Sequence, residues 1–118
     1  MNEKKNYSVN NLVFFEKLYN FMLWLFNHTD KIPRSKRYSL GGKIENIILN
    51  MLEITVTANM RKERKDLLNS ISENLESLRI LFRAMKDLKY ININSYEYGS
   101  KELTELGKIL GGWIKTAK

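Results

Sequence analysis

Arg79, Arg83 and Lys86 step by four and three along the chain, a spacing that puts three cations on one face of a helix. Such a ridge can meet successive phosphates of a nucleic acid, each contact adding a salt-dependent increment to binding. Arginine at the two leading positions suits that use, because its planar fork matches phosphate and carboxylate oxygens. A solvated helix face, with cations favoured near the negative end of the helix dipole, would give the same pattern. A second concentration of charge lies upstream. Between Lys31 and Lys65 stand nine basic residues (Lys31, Arg34, Lys36, Arg37, Lys43, Arg61, Lys62, Arg64 and Lys65), opposed only by Glu45, Glu53 and Glu63.

Tyr38, Tyr90, Tyr96 and Tyr98 could stack on bases, although tyrosines at helix ends serve equally as packing residues with a solvated hydroxyl. No zinc finger, RNP signature or helix-turn-helix accompanies them, so phosphate charge rather than base sequence is expected to dominate binding. Catalysis is poorly provided for. The one histidine, His28, ends the first helical pattern beside Thr29 and Asp30 and reads as a polar helix end rather than a base. There is no cysteine, no phosphate-binding glycine loop and no Glu-x-x-His pair for a di-metal bundle site. The chain reads as a non-enzyme with no metal and no cofactor.

Four helical patterns must position these charges. The first is expected from a cap at Ser8 to about Asn27, leaving residues 1–7 as a flexible N-terminus. It carries two apolar stripes: Leu12, Phe15, Tyr19, Met22 and Phe26, and beside them Phe14, Leu18, Phe21 and Leu25. Two stripes are more than one core-facing surface needs: either this helix is central in the bundle or, the favoured reading, its second stripe packs against another subunit. Pro33 breaks the chain within residues 29–39. Leu40, Ile44, Ile47, Met51, Ile54 and Ala58 then mark a second helix, where helical spacing outweighs a high content of β-branched residues. In the third, Leu68, Ile71, Leu75, Leu78, Phe82 and Met85 keep heptad spacing. Asn94 and Glu97 have the spacing of a capping box for the fourth, whose buried stripe is Leu103, Leu106, Leu110 and Trp113.

Four amphipathic helices with short connections specify an all-α, up-down four-helix bundle, read as one domain over residues 1–118. An apolar content of 43% places the chain among folded rather than disordered ones. The longest apolar stretch, 12–26, contains Glu16, Lys17 and Asn20 and is shorter than the roughly 20 residues of a membrane span. A cytoplasmic protein without a membrane partner is expected. Its formal charge of +7 favours an anionic partner.

The last helical pattern holds Gly107, Gly111 and Gly112, each costing about 1 kcal/mol relative to alanine inside a helix. Gly107 and Gly111 share a face and read as close-packing positions in the bundle or its subunit seam, with Trp113 as the anchor.

Three segments also carry a family resemblance: Pro33-Arg34-Ser35-Lys36-Arg37-Tyr38-Ser39-Leu40-Gly41, Leu78-Arg79-Ile80-Leu81-Phe82-Arg83, and residues 107–115 with their Leu-Gly-Gly-Trp-Ile-Lys core. Together they resemble the accessory variability determinant proteins of diversity-generating retroelements, a four-helix-bundle group related to proteins encoded in intervening sequences of bacterial 23S ribosomal RNA genes. The similarity runs through about residues 12 to 115. It implies a homopentameric barrel, a positive surface, and binding of the retroelement's reverse transcriptase and of RNA or DNA, in support of mutagenic cDNA synthesis. The group's basic positions fall on Arg79 and Arg83 and on Arg34, Arg37 and Lys43. Lys36 stands where the group commonly has Glu, and Gly42 where it has Gln. The related intervening-sequence proteins supply the alternative: a structural protein of the same fold without a polymerase partner.

Overall fold

Apolar residues recur at helical spacing along almost the whole chain, and the computed structural model folds them into four long helices. It describes the backbone of residues 2–118 and the side chains of residues 12–118. The helices are α1 (Asn2–Thr29), α2 (Gly42–Asn59), α3 (Lys65–Asp87) and α4 (Ile93–Thr116). A single helical turn, Arg34–Lys36, and a wide π-helical turn, Arg37–Gly41, lead into α2. Among the described residues there is no strand.

Each helix packs on two neighbours, in the cyclic order α1, α2, α3, α4. Side-chain pairs set the directions. Phe14 meets Trp113 with ring centres 5.9 Å apart, while Trp24 meets Tyr98 at 5.1 Å, so α1 and α4 run antiparallel. Phe82 stacks on Tyr96 at 5.1 Å, and Thr29 donates from Oγ1 to Glu45 Oε2 at 2.6 Å. The C-terminal ends of α1 and α3 therefore share one end of a 50 × 24 × 18 Å bundle with the N-terminal ends of α2 and α4. At the other end the backbone oxygen of Lys118 accepts from the N–H groups of Arg64 and Lys65, at 2.8 and 2.9 Å, satisfying donors at the start of α3.

The core follows the expected periodicity most closely in α3, where all six heptad residues are buried. Full burial of each such side chain is worth roughly 1.5–3 kcal/mol. In α1 the second stripe supplies most of the core, with Met22 the buried member of the first. Phe14, Leu18, Phe21 and Leu25 are buried within the chain's own core, whereas Leu12 and Tyr19 of the other stripe remain 59% and 41% exposed. The aromatic partners decide this: Phe14 closes on Trp113, and Phe21 on Phe82 at 6.3 Å. Spacing alone cannot rank two adjacent stripes. The helix also starts before Ser8, which lies within α1 rather than capping it. The expectation for residues 1–7 falls outside the residues whose side chains are described.

The cap of α4 is Asn92, not Asn94. Its side chain accepts from Ser95 N at 2.8 Å, and Asn94 is exposed in the first turn. Capping from Asn92 puts Ile91 before the cap and Tyr96 at the fourth helical position, and both join the core, as in a hydrophobic staple. Before it, α3 ends in a Schellman turn: Tyr90 N–H bonds to Met85 O at 2.8 Å and Lys89 N–H to Lys86 O at 2.9 Å. Lys89 takes the left-handed position at φ 66°, which usually falls to glycine.

The glycines of α4 divide sharply. A Cβ on Gly99 would overlap Phe82 Cζ and lie 3.0 Å from Trp24 Cη2, so this is the close-packing glycine of the bundle. Gly107 leaves room for a side chain rather than a helix, since its Cβ would lie 2.8 Å from Arg79 Nη2. Gly111, expected to be close-packed, has nothing within 4 Å of its Cβ position, and neither has Gly112. Trp113 is the buried anchor expected of it.

Candidate nucleic-acid interface

The nine basic residues between Lys31 and Lys65 do not form one patch. Helix α2 has 18 residues, which at 1.5 Å each separates its ends by about 27 Å. Lys31, Arg34, Lys36, Arg37 and Lys43 consequently lie at the His28 end of the bundle. Arg61, Lys62, Arg64 and Lys65 lie at the Trp113 end. In exchange, the antiparallel topology brings Arg83, Lys86 and Lys89, from the end of α3, to the same end as the first group.

The expected site residues are held differently. Arg34 and Lys43 are exposed and, among the described residues, make no ion pair. Arg37 is fastened to Asp30, its Nη2 donating to Oδ1 at 3.1 Å and its Nη1 to the Asp30 carbonyl at 3.4 Å. On α3 the ridge splits. Arg79 turns into the groove between α3 and α4, where Nη2 donates to Leu103 O at 3.2 Å and Nε lies 3.4 Å from Glu76 Oε1. It fills the space that Gly107 leaves open. Its side chain is 34% exposed, against 71% for Arg83.

Arg83 and Lys86 share Asp87, at 3.6 and 3.5 Å. The Lys86 ammonium also lies 4.9 Å from the centre of the Tyr96 ring, within cation–π range. Solvent-exposed ion pairs such as Arg83–Asp87 are worth about 0–1 kcal/mol, so a polyanion can displace them. The Arg79 bond crosses between two helices and is a strut of the bundle as well as a charge.

His28 lies against Trp24, ring centres 4.3 Å apart. Partial burial, then the nearby Lys31 charge, holds its pKa below the usual 6.5, so the ring is neutral at neutral pH. Among the described residues no hydrogen bond orients it as a catalytic base. Nor, among them, is there a cluster of His, Cys, Asp or Glu able to hold a metal ion. Among the described residues, no helix is long and apolar enough to cross a membrane.

Three features escaped the sequence reading. Gly99 falls four residues before Leu103, in line with the buried stripe, and that register was the available signal. The Arg79–Gly107 pairing and the left-handed Lys89 left no signal in spacing.

The sequence profile of the bAvd-like family matches residues 12–117, nearly the whole described bundle. The chain belongs to the bAvd-like family. That agrees with the resemblance carried by its three motifs. No curated protein matches it. Among solved structures, this bAvd-like chain is similar to a protein of unknown function from the S23 ribosomal protein family of Bacteroides thetaiotaomicron. The two superpose with a TM-score of 0.81 over 91% of this chain and 99% of the other, at 18% identity. At that identity the match establishes the shared four-helix fold.

Proposed function

We propose that this bAvd-like protein is a non-catalytic accessory subunit of a diversity-generating retroelement. In this reading it self-associates as a homopentamer and binds the reverse transcriptase and RNA or DNA through its basic surface, supporting mutagenic cDNA synthesis. One observation carries the nucleic-acid part: two clusters distant in sequence, Arg34, Arg37 and Lys43, and Arg83 and Lys86, converge on one end of the bundle. Five subunits at +7 each would total about +35 formally, which steers polyanions over roughly a Debye length.

Affinity for labelled duplex DNA and single-stranded RNA, measured from 50 to 200 mM salt, tests the reading. The Arg34→Glu/Lys43→Glu/Arg83→Glu/Lys86→Glu variant should bind far more weakly. If each cation meets one phosphate, its log–log salt slope on duplex should also be shallower by roughly three to four. Unchanged affinity and slope in a folded variant refute the interface. Capture of the reverse transcriptase from nuclease-treated lysate tests the protein partner separately. The fold shared with the S23 family protein supports the second reading, a structural protein of the ribosomal intervening-sequence type. A reverse transcriptase gene and a template/variable repeat pair nearby would favour the first.

A further inference from the structure

The four tyrosines that the sequence offers for base stacking are held in different ways. Tyr96 is covered, by the Phe82 ring at 5.1 Å and by the Lys86 ammonium 4.9 Å from its own centre. Tyr90 is half-buried against the core. Tyr98 leans on Trp24, ring centres 5.1 Å apart. Tyr38 makes no ring contact among the described residues and is 87% exposed.

That exposure is not looseness. Pro33 through Ser39 are exposed at every position, yet the segment is fastened at both ends. Ile32 before it is 3% exposed, and Gly41 after it is buried, its Cβ position 3.5 Å from Ile32 Cδ1. Between these anchors Lys36 N–H bonds to Pro33 O at 2.8 Å, and Gly42 N–H bonds to Arg37 O across the π-helical turn. The Arg37 side chain is tied to Asp30. Single π-helical turns are rare and recur at functional sites. A tyrosine mounted on a fixed backbone presents a wide ring with only two side-chain torsions to lose on binding.

The surroundings set the charge of the ligand. Residues 31–43 hold five cations (Lys31, Arg34, Lys36, Arg37 and Lys43) and no acid. The flanking acids are engaged, Asp30 by Arg37 and Glu45 by Thr29. An uncovered ring among cations matches a nucleotide strand, whose base lies on the ring while its phosphates meet Arg34, Lys36 and Lys43. An acidic protein segment would use the cations and leave the ring idle. So would a duplex, where each base already has a neighbour on both faces. Only an unpaired strand brings phosphate charge and a free base face together.

We propose that this end of the bundle takes an unpaired nucleic-acid strand, with one base stacked on Tyr38. The proposal rests on the nucleic-acid reading put forward above and names the state of the strand and the residue that holds a base. Fluorescence anisotropy with oligothymidine, oligouridine, an abasic strand of equal length and a duplex tests it. Stacking one base on an aromatic side chain is worth roughly 5- to 150-fold in affinity. Tyr38→Ala should weaken oligothymidine and oligouridine binding by a factor in that range and leave the abasic strand and the duplex unchanged. Tyr38→Trp should restore the loss, and circular dichroism should be the same for all three proteins. The two intact strands separate DNA from RNA as the source of the base.

An equal loss on the abasic strand, or no loss on any strand, overturns the stacking while the phosphate contacts stand. A wild-type protein that binds none of the probes at low salt removes both. Loss of reverse transcriptase capture by Tyr38→Ala, with oligonucleotide affinity intact, assigns the ring to a protein contact and overturns the proposal as well. A strand carrying 5-iodouracil should photo-cross-link within the tryptic peptide Tyr38–Lys43. Cross-links on Tyr98 or Trp24 instead overturn the choice of Tyr38.

Discussion

Replacing Gly99 by alanine sets two opposing effects against each other at one position. Alanine in a helix interior gains about 1 kcal/mol over glycine. The new Cβ, however, would overlap Phe82 Cζ and lie 2.8 Å from its Cε2 and 3.0 Å from Trp24 Cη2. Ordinary carbon contacts are about 3.5–4.0 Å. Phe82 cannot swing aside, because it is buried and held by Phe21, Trp24 and Tyr96. Overpacking of this kind costs typically 1–3 kcal/mol, and the overlap here is severe, so Gly99→Ala should lose about 1–2 kcal/mol net. Gly112→Ala, on the same helix with open space at its Cβ, should gain up to about 1 kcal/mol. Urea unfolding followed by far-ultraviolet circular dichroism should therefore separate the two by about 2–3 kcal/mol. In thermal scans that is roughly 10 °C for a chain of this size. Adding Phe82→Leu, which removes the ring tip, should recover part of the loss as a coupling between the two sites. If Gly99→Ala is as stable as Gly112→Ala, the close-packing account of Gly99 is wrong.

Lys89→Gly should stabilise the protein by up to about 1 kcal/mol, by relieving a side chain from the left-handed conformation, with urea midpoints as the readout. Asn92→Ala should cost about 1 kcal/mol in the same assay, because Ser95 N loses its acceptor, whereas Asn94→Ala should be nearly neutral. Reversed ranking would return the cap to Asn94. The folded His28 binds its proton less readily than the unfolded one, so it lowers stability as pH falls from about 6.5 toward its depressed folded pKa, and has no effect above. Unfolding free energies at pH 7.5 and 5.5 should converge in His28→Gln relative to wild type; an identical pH slope in both would count against that linkage.

Helix number, order and the α3 core could be read from the sequence because one stripe per helix leaves one solution. Leu68 through Met85 had no competing face. The first helix was harder for a physical reason: with two apolar stripes side by side, only the docking of Phe14 on Trp113 and Phe21 on Phe82 selects the buried one. Asn92 and Asn94 are chemically equivalent caps, and burial of Ile91 and Tyr96 breaks the tie. The charge map was the least legible. Proximity along the chain grouped Lys31 with Lys65, although the length of α2 alone places them at opposite ends. Arg79 looked like its neighbours Arg83 and Lys86 until Gly107, some 28 positions on, turned out to make room for it.

The two tryptophans stand at opposite ends of the bundle in unlike surroundings. Trp113 is sealed against Phe14, whereas Trp24 is half-exposed and in contact with an imidazole that titrates. Single-tryptophan variants would thus give two optical channels in one molecule. Emission from Trp113 would follow solvent entry where α4 returns to the start of α3. Emission from Trp24 would follow protonation of His28 and any shielding of the basic end by a bound strand. Ligand engagement and loosening of the far end could then be timed separately in the same solution.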